Sequence, residues 1–284
     1  MDVQLQAVSS ILTRTGGYLS QVATHSVQPY RGCSFGRALC GVGCYVQHSW
    51  FVTRGRRWGE FLDVKSNAAA RYLSQYARER AWAERQGKRF AIFMSSSTDP
   101  FLPHERRYRI SESILEAMTV CAPDLLIVQT HSHRCLDYVS LFQRLREVCE
   151  VRVHISIETD REKIASLPAH ASSVAKRIDA ADGLRKSGIP VVVTVSPLLP
   201  IQYPHDFFAA LERVADAVVV DHYIGGDGSR AGSRTERTGL PEAIRGIEPH
   251  ALRIEYRDEM VALARRYLPG RVGVGASGFA GVYE

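Results

Sequence analysis

The stretch Pro29–Tyr45 reads PYRGCSFGRALCGVGCY and puts three cysteines, Cys33, Cys40 and Cys44, within twelve residues at the spacing C-x6-C-x3-C. Three thiolates on one short loop can bind three irons of a four-iron, four-sulfur cluster (4Fe–4S) and leave the fourth iron without a protein ligand. A small molecule carrying an amine and a carboxylate could chelate that open iron. S-adenosylmethionine carries both, and one electron from the cluster then breaks its sulfonium bond to give a 5′-deoxyadenosyl radical. The loop also admits a zinc reading, with His48 completing a Cys3His tetrahedron. Spacing alone leaves the two about even, and chance cysteines do not account for such density.

The chain around the loop decides between them. Zinc modules are small and self-contained, whereas here a long alternation of strands and helices follows. Nearly continuous apolar runs predict parallel strands covered by helices: Arg89–Met94, Leu125–Thr130, Val151–Ile157, Ile189–Val195 and Ala217–Asp221. A short first strand around Gln28–Arg31 leads into Cys33, and a last one covers Arg271–Gly275. Helices are expected over Ser66–Gln86, capped by Gly87, and over Ile110–Val120, where Ser113 and Glu116 have capping-box spacing. Others are expected over Ser173–Lys186, Asp206–Ala215 and Arg257–Tyr267. Right-handed βαβ units of this kind build either a partial barrel or an open doubly wound sheet. The cysteine loop favours the barrel, α/β of partial (β/α)6 TIM type, with the cluster loop after the first strand. Residues 1–24 read as an N-terminal extension and 25–284 as the barrel domain. Gly225–Leu240 is a Gly-, Ser- and Arg-rich loop after the sixth strand, which lines the site or stays disordered.

Composition sets the outer bounds. With 284 residues and 45% hydrophobic content the chain can bury a large core. No run of about 18 apolar residues suggests a membrane span, and the N-terminus has no secretory pattern, so a cytoplasmic protein is expected. There the six cysteines stay reduced, and Cys121, Cys135 and Cys149 read as small buried hydrophobes. The net charge of +6 permits an anionic or nucleic-acid substrate without arguing for one.

From Pro29 to the C-terminus the sequence resembles the spore photoproduct lyase-related branch of the radical S-adenosylmethionine superfamily. The resemblance rests on ordered blocks: Pro29–Cys33, Cys44-Tyr45, VKSNA at Val64–Ala68, STDPFLPHERRY at Ser97–Tyr108, Ser156-Ile-Glu158, Arg177 with Gly188-Ile-Pro190, and SPLLP at Ser196–Pro200. It implies a partial (β/α)6 barrel enzyme of lyase or oxidoreductase type. Its cofactors would be a 4Fe–4S cluster on Cys33, Cys40 and Cys44 together with S-adenosyl-L-methionine, and its electron donor a reductase such as flavodoxin or ferredoxin. By similarity Tyr45 packs beside the adenine, and Ser95, Ser96, Ser97, Thr98 and Asp99 meet the methionyl amine. Ser156 and Glu158 reach the ribose or methionyl group, and Ser196 and Pro197 border the adenine. The substrate, a small molecule or a nucleic acid, stays open.

Two departures matter. Relatives space the cysteines CxxxCxxC, and both intervals are longer here; longer loops cost little if the sulfurs still converge. A third reading is thus a family member whose loop no longer assembles a working cluster. Second, spore photoproduct lyase carries a hydrogen-returning cysteine where this chain has Ser96. A hydroxyl O–H is too strong to replace a thiol S–H in that role, so thymine-dimer repair by that route is not expected.

Candidates for catalysis or substrate choice at other strand ends are His131, His133, Asp221, His222 and Asp227, with Cys135 as a candidate hydrogen donor. Each has an equally plain explanation as a satisfied histidine, a capping aspartate or a core thiol; their shared position at one mouth singles them out. His154 reads as interior. Arg106, Arg107 and Arg177 either hold an anionic group or brace helices through surface ion pairs.

Overall fold

The computed structural model describes residues 1–284. Its strands, in chain order, are β1 (Asp2–Gln6), β2 (Leu12–Arg14), β3 (His25–Val27), β4 (Tyr30–Gly32), β5 (Phe61–Lys65), β6 (Ala91–Met94), β7 (Leu125–Thr130), β8 (Glu150–Ser156), β9 (Val191–Val195), β10 (Ala217–Val220) and β11 (Val272–Val274). The larger sheet runs β2-β3-β6-β7-β8-β9-β10-β11. It is parallel except for the β2–β3 pair. From β3 onward spatial order follows chain order, so every crossover steps the same way. A doubly wound sheet needs a reversal of strand order; without one, right-handed crossovers curl the sheet into a partial barrel.

The two faces of each strand separate by the two-residue period of extended chain. Ile92, Leu126, Val153, Val193 and Val218 pack outward into the larger core beneath the covering helices. Phe93, Ile127, Val192 and Val219 point inward and form a second core with Val22 and Phe279. His154 lies on the inner face, its ring edge-on to Phe93 and tilted against Phe279. Neither of its nitrogens has a partner, and burial pulls its pKa down to about 3.

Several boundaries differ from the sequence reading. The first barrel strand is His25–Val27 and stops before Pro29, which has no N–H for a ladder; Tyr30–Gly32 pairs instead with β5 in a small sheet, β1-β5-β4. Strand β5 (FLDVK) went unread because Asp63 interrupts it. That carboxylate is buried and takes Arg31 at 2.6 Å and Arg56 at 2.8 Å, pinning both ends of the cysteine loop. The helix Ile110–Val120 has no capping box: Arg109 precedes it with φ 49°, and the Ser113 hydroxyl donates to the Ile110 carbonyl. The helix expected from Asp206 starts at Pro204, whose missing N–H costs nothing in a first turn. Gly225–Leu240 is an organised loop. Asp227 gathers it by accepting from the N–H groups of Ser229, Arg234 and Thr235 and from the hydroxyls of Ser229 and Thr235. Residues 1–24 are stitched to the body through β1–β5 and β2–β3. No helix is long and apolar enough to cross a membrane.

Candidate active site

A cavity of about 580 Å³ opens at the C-terminal ends of the barrel strands, where barrel enzymes carry their chemistry. Cys33, Cys40 and Cys44 border it together with Tyr45, Ser95–Asp99, His131, Ser156, Glu158, Ser196, Pro197, Asp221 and His222.

The cysteine loop is held by close backbone contacts. Cys33 follows β4, Cys40 sits in the short helix Leu39–Val42, and Cys44 precedes the turn Tyr45–His48. A Cβ on Gly41 would stand 2.1 Å from the Phe35 carbonyl, and one on Gly36 would stand 2.3 Å from the Gly59 Cα. Only hydrogen fits at either position, so the longer cysteine intervals are wound into a compact loop. Thr98 ties that loop to the barrel by donating to the Gly32 carbonyl at 2.6 Å. Burial pushes the Cys33 thiol up to about 12 and the Cys44 thiol up to about 11, and raises Cys40 strongly. Without a metal these are protonated thiols; binding an ion draws the protons off. No group of three or more His, Cys, Asp or Glu side chains gathers tightly enough for a single ion. His48 lies outside the cavity wall, beside Arg237.

Beneath the cysteines runs a buried network of charges. His131 Nε2 lies 2.8 Å from Glu158 Oε1, and Arg177 donates to Glu158 Oε2 at 2.6 Å. Burial by itself raises the Glu158 carboxyl, but Arg177 and His131 outweigh it and hold the group well below the usual carboxylate range. Arg177 also donates to the Ser156 carbonyl and is itself buried, so it positions Glu158 and is no surface brace. Arg106 and Arg107 are exposed and do not line the cavity. Asp99 accepts from the N–H groups of Phe101 and His131 and from the Thr130 hydroxyl, joining the ends of β6 and β7.

The remaining strand ends divide. Asp221 accepts from the Tyr18 hydroxyl at 2.9 Å. His222 borders the cavity, but its Nδ1 accepts from Ile224 N–H and its Nε2 bonds the Ala251 carbonyl, so both nitrogens are spent on structure. His133 bonds Ser172 away from the cavity. Cys135 is fully buried in the larger core and does not reach the cavity, so hydrogen donation from it has no geometric basis.

Three polar atoms are left over. Ser95 Oγ, Gln129 Oε1 and Trp58 Nε1 are buried in cavity-lining residues with no partner, and Ser95 is held at φ 78°, a conformation that L residues seldom adopt. Buried polar atoms are ordinarily paired, so all three are open to a polar ligand. Sequence reasoning missed Gln129, although a polar residue inside LLIVQT was a signal. It also missed Tyr18, which no pattern links to Asp221.

The fold and the site together define an α/β partial-barrel protein with a three-cysteine loop at the mouth of its cavity. This is the fold of spore photoproduct lyase. That enzyme complexed with dinucleoside spore photoproduct superposes with a TM-score of 0.62 at 15% identity, over 96% of this chain and 81% of that one. A variant of it with bound AdoMet and dinucleoside spore photoproduct gives 0.61 at 15% identity, over the same shares. In sequence, 179 residues are 26% identical to an uncharacterized protein of Methanocaldococcus jannaschii, covering 63% of this chain and 61% of that protein. A stretch of 199 residues is 27% identical to the radical SAM Nα-GlyT isomerase of Pseudomonas phage M6, covering 69% of this chain and 38% of the isomerase. The chain thus spans less than two thirds of either curated relative. No family model matches. The resemblance to spore photoproduct lyase seen in the ordered sequence blocks holds at the level of the fold.

Proposed function

We propose that this protein is a radical S-adenosylmethionine enzyme, with Cys33, Cys40 and Cys44 holding a 4Fe–4S cluster and S-adenosylmethionine lying in the adjoining cavity. The observation that carries this reading is the joint position of the three cysteines and the unpartnered Ser95 and Gln129 atoms around one cavity at the strand ends. A cube offers three separate irons to three sulfurs, which suits thiols arranged along a cavity edge. A zinc tetrahedron needs four ligands about one point, and His48 stands apart from the cysteines' cavity.

When bound, the cluster and cofactor supply one-electron cleavage to a 5′-deoxyadenosyl radical, with the electron delivered by a reductase of flavodoxin or ferredoxin type. The chain's own residues hold and shield. Asp63, through Arg31 and Arg56, fixes the loop that presents the thiols. Glu158, held ionised by Arg177 and steadied by His131, offers a fixed acceptor for hydroxyl or amino groups of a ligand. Tyr45, Ser196 and Pro197 supply the flank for a flat base, and Phe93, Val22 and Phe279 keep the interior dry. An unidentified substrate held there would give up a hydrogen atom to the 5′-deoxyadenosyl radical, which would become 5′-deoxyadenosine and leave the unpaired electron on the substrate. Ser96 Oγ accepts from Gln28 at 2.7 Å and offers no thiol, so repair of a thymine photoproduct by thiol return is not part of this proposal.

The test is anaerobic purification, reconstitution with iron and sulfide, reduction, and chromatography of 5′-deoxyadenosine. Wild type should form it, and the Cys33→Ala, Cys40→Ala, Cys44→Ala variant should not. A protein that takes up zinc and no iron, and forms no 5′-deoxyadenosine, would overturn the reading in favour of a zinc-stabilised nucleic-acid-binding barrel.

A further inference from the structure

The carboxylates that line the cavity differ in their partners. Glu158 has Arg177 and His131, whereas Asp99 takes two N–H groups and a hydroxyl with His131 Nδ1 at 3.9 Å, and burial still raises its carboxyl. Asp227, on the loop at the rim, is compensated by three N–H groups and two hydroxyls. Asp221, just after β10, is different. It is 4% exposed and receives only the Tyr18 hydroxyl on Oδ2 and the His222 N–H on Oδ1. No cation pairs with it, and Arg257 acts on it only through space. A Cβ on Gly226 would stand 2.5 Å from Asp221 Oδ2, so the glycine leaves that oxygen free of a crowding side chain. The surrounding wall is apolar and aromatic, from Leu19, Val22, Phe93 and Phe279, with the Tyr18 ring edge-on to Phe279 at 6.3 Å.

We propose that Asp221 anchors a protonated amine of the substrate, so that this cavity takes a cationic amine with an apolar or aromatic body. A buried carboxylate without a counter-charge is costly, and an ammonium group brought by a ligand restores the missing partner through charge-assisted hydrogen bonds. No lysine lines the cavity, and its one arginine, Arg234, belongs to the exposed rim loop, so no lining cation pairs with Asp221 or competes for an anionic ligand there. The proposal rests on the reading of this cavity as the reaction site, but the anchor itself needs no cluster.

The probe is benzylamine, with benzyl alcohol and benzoate as controls, titrated by calorimetry into the full chain at about pH 8, where both the amine and Asp221 are charged. Benzylamine should bind the wild type and the triple-cysteine variant alike, and more tightly than either control. Asp221→Asn should weaken it by about tenfold or more. Tyr18→Phe removes a hydrogen bond but leaves the charge, so it should bind benzylamine at least as tightly as wild type; this variant carries the test if Asp221→Asn does not fold. Equal affinity for benzyl alcohol, unchanged binding by Asp221→Asn, lost binding by Tyr18→Phe, or no benzylamine binding by wild type overturns the anchor. So does displacement of benzylamine by S-adenosylmethionine from the reconstituted protein, which would assign Asp221 to the cofactor. A protein that forms 5′-deoxyadenosine yet ignores benzylamine loses the anchor and keeps the radical reading; the reverse result keeps the anchor alone.

Discussion

Replacing Asp221 by asparagine should stabilise the ligand-free protein, and the gain should depend on pH. Burial pushes the Asp221 carboxyl up to about 6 from an ordinary 3.8; the Tyr18 hydroxyl, the His222 N–H and distant Arg257 offset only part of that effect. The unfolded chain therefore ionises this group more readily than the folded one. Stability from it is complete below about pH 4 and is lost as pH rises toward about 6. The displacement corresponds to roughly 2–3 kcal/mol at pH 8. Burial raises the Tyr18 phenol far above the window; it lowers His222 toward it, but that histidine is present in wild type and variant alike, so its contribution largely cancels from the difference between them. Asparagine removes the charge and keeps the contacts. Its carbonyl can accept from His222 N–H, and its amide can donate to the Tyr18 oxygen. Denaturant unfolding of cluster-free wild type and Asp221→Asn at about pH 8 and about pH 4.5 reads the difference. The variant should be more stable by about 2–3 kcal/mol at the higher pH, and the gap should largely close at the lower. A variant less stable than wild type at pH 8, or a gain independent of pH, would refute the claim that an uncompensated charge sits there.

Arg177→Met should cost about 3–5 kcal/mol in the same unfolding assay, because Glu158 is then buried with only His131 beside it; a loss under about 1 kcal/mol would mean that Glu158 finds solvent or a proton cheaply. Gly41→Ala forces a Cβ against the Phe35 carbonyl and should lower iron uptake on reconstitution, at a stability cost of about 1–3 kcal/mol. Gly239→Ala, whose Cβ meets only Val42 at 3.7 Å, should load iron normally, and equal uptake by both variants would remove the packing argument. Cys135→Ala should leave 5′-deoxyadenosine and product formation unchanged, because the thiol lies in the core; misdirected products would restore it as a hydrogen donor.

The barrel was legible because its parallel strands are buried on both faces and their apolar runs are nearly continuous. Leu125–Thr130 falls where the sequence puts it, and the run read over Ile189–Val195 loses only its first two residues. The small sheet was not legible. Strand β1 is largely exposed and β5 carries Asp63 at its centre, so both lack the pattern that betrays a strand. Their identity depends on partners distant in sequence, as does the ion cluster of Asp63 with Arg31 and Arg56. The cysteines, Asp99, Glu158 and Asp221 could be placed at the mouth because strand-end positions follow from the alternation. Their hydrogen-bond partners could not. Arg177 reads as a surface helix residue until the packing of that helix buries it against Glu158. His222 reads as either a satisfied histidine or a catalytic one until the chain near Ala251 folds over it and takes its Nε2.

The least legible contact is the one made to Asp221. Tyr18 and Asp221 stand 203 residues apart, and the sheet is open between β2 and β11, the first and last strands of its order. Closure of the barrel interior therefore falls to side chains from both ends of the chain. The turn Gly17–Gln21 and the helix Gly275–Ala280 pack together there, with Val22, Tyr18 and Phe279 covering the inward residues Phe93 and Val219. The segment that resembles a mere extension thus supplies part of the cavity wall and the only side-chain donor to Asp221. The wall around Asp221 is accordingly built in part by the terminal segments, while the cysteines are carried by the loops that follow β4.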